Sequence, residues 1–106
     1  MKKIDITSEI DTIKRQLIEK YHPEKIILFG SAAWGDTDEV NDLDFFIVKK
    51  DCPYYGIDRM RELDRIIDRD IAVDMIVYRP EEVAERLGLG DPFVKKIFRE
   101  GRILYG

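Results

Sequence analysis

The chain is poor in several things that would have pointed to other kinds of protein. It holds one cysteine, Cys52, so no disulfide can form within it and a zinc site built on several cysteines is excluded. Positive charge is in deficit: 18 Lys and Arg stand against 22 Asp and Glu, for a net charge of −4. That argues against a domain whose main work is gripping a polyanion through a basic surface. No apolar run approaches the roughly 20 residues needed to cross a bilayer. The opening Met1-Lys2-Lys3, followed by Ile4-Asp5-Ile6-Thr7-Ser8-Glu9, lacks the apolar core of a signal peptide, so a cytoplasmic protein is expected. Repeats, linkers and low-complexity segments are absent.

What is present is a chain of 106 residues, 44% hydrophobic and 38% charged, with room for one domain over 1–106 and a modest core. A helix is expected to about Lys20, capped by Ser8 or Thr7, with Ile10, Ile13, Leu17 and Ile18 at helical spacing. Lys25 to Phe29 reads as a buried strand stopped by Gly30, Ser31 to Trp34 as a short helical turn, and Asp36 to Asn41 as a polar loop. Leu43 to Val48 makes a second buried strand. Ile57 to Arg69 reads as a helix with Ile57, Met60, Leu63, Ile66 and Ile67 as its apolar stripe, and Ile71 to Tyr78 as a third strand. Pro80 opens a helix to about Leu87, and Asp91 caps a last one that Gly101 ends. Arg102 to Tyr105 then adds an edge strand. The expected fold is α/β, a small mixed sheet with flanking helices lying mainly on one face.

The chemistry is concentrated in one stretch. Gly30-Ser31 is followed, after ten residues, by Asp42-Leu43-Asp44 at the head of a strand. Side chains two apart on a strand share a face, so Asp42 and Asp44 project together and Leu43 and Phe45 point the other way. Two carboxylates so close repel, and either a raised pKa or a shared cation must relieve them. Asp74 interrupts the apolar run Ala72-Val73-Asp74-Met75-Ile76-Val77 and needs a partner if it is buried. Were its strand to lie beside the second, Asp42, Asp44 and Asp74 would form an all-oxygen cluster suited to Mg²⁺ or Mn²⁺. Gly30 and Ser31 suit a complementary role, because glycine lets a phosphate approach the backbone and N–H groups at a helix start attract anions. An EF-hand tested on Asp36 and Asp38 fails, because Asn41 and Ile47 stand where that loop needs Gly and Glu.

Gly30, Ser31, Asp42 and Asp44, with Asp74 as a third acid on a later strand, resemble the motif of the nucleotidyltransferase superfamily that includes DNA polymerase β. The likeness is to its minimal nucleotidyltransferases and extends from about Lys25 to Tyr105. The resemblance implies a polymerase β palm-like fold and transfer of a nucleoside monophosphate from a nucleoside triphosphate, ATP favoured, to a hydroxyl. It implies that Asp42, Asp44 and Asp74 bind one or two Mg²⁺ ions, with Asp74 serving the acceptor, and that Gly30 and Ser31 hold the triphosphate. It also implies an antitoxin-type role, adenylylating a tyrosine of a HEPN-domain toxin encoded by a neighbouring gene. Alternatives are a non-catalytic binding antitoxin or scaffold, and transfer to a small molecule or an RNA end; homo-oligomerisation stays open. The chain departs from the family at Ala32 and Trp34, where many members carry arginines. Trp34, Tyr54, Tyr55 and His22 are expected to be packing or surface residues, and Lys95, Lys96, Arg99 and Arg102 a solvated basic face, with a triphosphate tail or an acidic partner as its functional alternative.

Overall fold

A computed structural model describes residues 5–35 and 42–106. The loop expected over 36–41 falls outside them. Four strands form one mixed sheet in the order β3-β2-β1-β4: β1 (Lys25–Phe29), β2 (Asp42–Val48), β3 (Ala72–Tyr78) and β4 (Arg102–Tyr105). β1 pairs antiparallel with both β2 and β4, whereas β2 and β3 run parallel.

The two central strands are apolar on both sides, and that dictates the layers. Ile26, Leu28, Leu43, Phe45 and Ile47 face one way, packed with Ile10, Ile13, Leu17 and Tyr21 from the N-terminal helix and with Leu63 and Ile67. Ile27, Phe29, Phe46 and Val48 face the other way, against Val83 and Ile97. Helices therefore cover both faces: α1 (Ile6–Gln16) and α3 (Gly56–Ile66) one, α4 (Pro80–Gly88) and α5 (Pro92–Glu100) the other. The expectation of helices mainly on one face is corrected, since a strand pair with no polar side must be buried twice.

Asp5, rather than Ser8 or Thr7, caps α1. Its carboxylate accepts from the Thr7 and Ser8 amides at 3.1 and 3.4 Å, which places both candidate caps inside the first turn. The helix runs on through a π-helical turn, Leu17–Tyr21, and stops at His22, which is left-handed with φ 55°. α3 departs more from its expected stripe. Ile57 and Met60 are exposed, whereas Arg59 is only 3% exposed. Its guanidinium donates to the carbonyls of Pro53 (2.6 Å), Val77 (2.9 Å) and Tyr54 (3.1 Å) and pairs with Glu82 at 2.7 Å, so a buried charge is fully engaged. No helix among the described residues is long and apolar enough to cross a membrane.

Candidate active site

The site lies at one end of the sheet, on the face covered by α4 and α5. Antiparallel pairing sets Phe29, the last residue of β1, opposite Asp44. The chain leaves β1 through Gly30, at φ 75° and ψ −158°, and enters α2 (Ser31–Trp34). Gly30 O accepts from the Ala33 and Trp34 amides at 3.0 and 3.1 Å, closing the turn. Only glycine adopts that backbone without strain. A Cβ at Gly30 would also collide with the Asp44 carboxylate, lying 3.1 Å from its Cγ. The glycine thus makes the room in which Asp44 stands.

Parallel pairing sets Asp44 directly beside Asp74 and Asp42 beside Ala72. One carboxylate oxygen from each of Asp42, Asp44 and Asp74 lies within 4.8 Å of the others. The three candidate acids are therefore brought together, beside Gly30 and Ser31. Asp74 differs from the expectation in one respect: it is exposed, because β3 is an edge strand and its head is open to solvent. Its place follows from register and not from any demand for an internal partner. Among the described residues, none of the three acids has a hydrogen bond or an ion pair to relieve it. Partial burial, then the charges of Asp42 and Asp74, push the Asp44 carboxyl above its ordinary value of 3.8. Three hard oxygen donors held this close together fit a divalent cation such as Mg²⁺ or Mn²⁺.

Two residues near this end stand out less in the sequence. Trp34 packs its ring on Phe29 with centroids 6.4 Å apart and remains 40% exposed. Lys96 of α5 carries its ammonium over the Trp34 ring, 4.6 Å from the centroid. Tyr54 and Tyr55 are exposed and pack on each other, away from the acids. Cys52 is a half-buried thiol bonded to the Lys49 carbonyl.

A mixed sheet with a Gly-Ser turn facing an Asp-x-Asp strand and a third aspartate on the parallel neighbour is the arrangement that the resemblance to nucleotidyltransferases leads one to expect. Residues 11–106 match the family model described as "Polymerase beta, Nucleotidyltransferase". The chain belongs to that family, whose members generally use a divalent metal and a nucleoside triphosphate. It is also 34% identical over 82 residues to a Methanocaldococcus jannaschii protein named "Putative protein adenylyltransferase", a match covering 77% of this chain and 78% of that one. No solved structure matches.

Proposed function

We propose that the protein transfers AMP from ATP to a hydroxyl of a partner protein, with Mg²⁺ held by Asp42, Asp44 and Asp74. The observation that carries this is the convergence of three carboxylates on the Gly30–Ser31 turn in a chain of this family. Bound divalent ions would neutralise the three acids and stabilise the charge that develops on the attacking and leaving oxygens. Gly30 and Ser31 hold the triphosphate through backbone N–H groups and the Ser31 hydroxyl, fixing the α-phosphorus in line with the acceptor. A bond forms from the acceptor oxygen to the α-phosphorus, the bond from that phosphorus to the bridging oxygen breaks, and pyrophosphate leaves with the electron pair. The acceptor's proton passes to the carboxylate of Asp74, which is exposed on a strand with no strand outside it.

Support for a protein acceptor comes from the name of the archaeal relative. The acceptor we favour is a tyrosine of a HEPN-domain toxin from the neighbouring gene, met in the cytoplasm by a minimal domain spanning 1–106. ATP labelled at the α-phosphate is incubated with the protein, Mg²⁺ and the neighbouring gene's product. Label on a tyrosine of that product with wild type, and none with the Asp42→Asn/Asp44→Asn variant, is expected. Equal absence of label from wild type and variant sinks the proposal. Label moving to a small molecule or RNA would keep the chemistry and replace the acceptor.

A further inference from the structure

The Gly30–Ser31 turn sits among carboxylates, and α2 itself, Ser31-Ala32-Ala33-Trp34, brings no cation. A nucleoside triphosphate adds a strongly negative tail to three acids, more charge than two divalent ions cancel. Some side chain must meet the distal phosphates, and the sequence of the turn does not provide it. α5 does. Phe93 packs edge-on against Phe29 at 5.6 Å and is itself 44% exposed, which lays the first turn of α5 across the end of β1. Lys96 lies three residues on, on the same face of the helix, and its ammonium rests over Trp34 at 4.6 Å. Three residues of helical rise, about 4.5 Å, separate Trp34 from Ser31.

We infer that Lys96 is the triphosphate-binding cation of this site, parked on the exposed face of Trp34 and delivered from there to the distal phosphates. The inference rests on the nucleotidyl-transfer reading and deepens it. Its physical basis is that an exposed cation–π contact is weak, whereas an ammonium–phosphate contact is charge-assisted and stronger, so an arriving triphosphate can draw the ammonium off the ring. Lysine suits this role because its ammonium is a compact charge on a flexible stem. Trp34 acts as a positioning residue: it limits where an otherwise mobile side chain waits, at the mouth of the turn.

The test compares ATP with AMP, each with Mg²⁺, binding to wild type, Lys96→Ala, Lys96→Arg and Trp34→Leu. Trp34 is the chain's one tryptophan, so its fluorescence reports on the contact directly. Wild-type emission is expected to change with ATP and not with AMP. Lys96→Ala should weaken ATP by about tenfold or more while AMP affinity stays within about twofold, as expected for losing a hydrogen bond to a charged group. Lys96→Arg should recover most of the loss, and Trp34→Leu, which removes a contact that ATP must break, should raise ATP affinity by about two- to fivefold, a gain that vanishes in the Lys96→Ala background. Unchanged ATP affinity in Lys96→Ala, or equal losses for ATP and AMP, would overturn the assignment and leave the transfer reading standing. Failure of wild type to bind ATP in a Mg²⁺-dependent way would overturn both.

Discussion

Gly30 offers the sharpest test of how the site is built, because one methyl group added there meets two separate obstacles. The first is backbone strain: φ 75° with ψ −158° is a region only glycine occupies freely, and holding another residue there costs about 1 to 3 kcal/mol. For a domain of this size each kcal/mol moves Tm by roughly 4 to 8 °C, so Gly30→Ala should melt roughly 4 to 24 °C below wild type. The second is the carboxylate of Asp44, whose Cγ lies 3.1 Å from where the new Cβ would be. Asp44 has a short side chain and can escape only by turning out of the cluster. Metal affinity should therefore fall along with stability. Thermal melts with and without Mn²⁺ or Mg²⁺ separate the two effects. Wild type should gain stability with metal, and Gly30→Ala should gain little. In an Asp44→Ala background the clash disappears and the backbone strain remains, so Gly30→Ala should still lower Tm there, by less. Gly56→Ala is the control, since nothing lies within 4 Å of its would-be Cβ at the start of α3. A Gly30→Ala protein that melts with wild type and keeps its full metal response would refute this account of the turn.

Asp44→Asn should show the reverse balance. The Asp44 carboxyl is raised above 3.8, so below that pH it is protonated both folded and unfolded and costs nothing; as pH rises through the folded-state value, ionisation penalises the folded state. Without metal, Asp44→Asn should be more stable than wild type at neutral pH, the gain should fade as pH falls through the folded-state value toward 3.8, and added Mg²⁺ should reverse the order; a gain that grows on acidification contradicts it. Arg59→Ala strips a buried guanidinium from three carbonyls and from Glu82. It should cost about 3 to 5 kcal/mol in urea unfolding, enough to threaten folding. Glu82→Gln should cost less, because the three carbonyls still hold Arg59 and the amide oxygen of Gln can still accept from it; equal losses would show that the charge pair, and not the carbonyl network, is what matters. Gly101→Ala places a Cβ 2.6 Å from Ile27 Cγ2, between α5 and β1, and should lower Tm without a specific effect on metal binding.

The parts of this molecule legible in its sequence are those fixed by local periodicity. Alternation along 42–48 assigns Asp42 and Asp44 to one face and Leu43 and Phe45 to the other, and the side chains lie so. Asp91 and Pro92 begin α5 as expected, with Asp91 accepting from the Phe93 and Val94 amides. What the sequence does not yield depends on distant partners. The α1 cap is ambiguous because Asp5, Thr7 and Ser8 all have the chemistry, and only the true helix start decides between them. Arg59 lies among charged residues on a helix that reads as amphipathic, and nothing local reveals that Pro53, Tyr54 and Val77 turn their carbonyls toward it. Lys96 reads like any residue of a solvated face, because its contact with Trp34 spans 62 positions of sequence.

Asp74 shows how much of the site is a matter of register. The apolar run around it suggests an interior strand and a buried charge in need of rescue. It is an exposed residue on an edge strand, yet it still meets Asp44, because the single parallel pairing in the sheet sets the two side by side. Two pairings of opposite sense build the centre: the antiparallel one returns the end of β1 to the head of β2, and the parallel one starts β3 where β2 starts. Strand heads and a strand end thus share one rim. A slip of one residue between β2 and β3 would set Val73 or Met75 beside Asp44 and turn Asp74 to the α1 side. It is opposed by Met75 and Val77, both buried among α1 and α3 residues, which such a slip would expel. The hydrophobic contacts on one face of the sheet therefore fix the carboxylate geometry on the other.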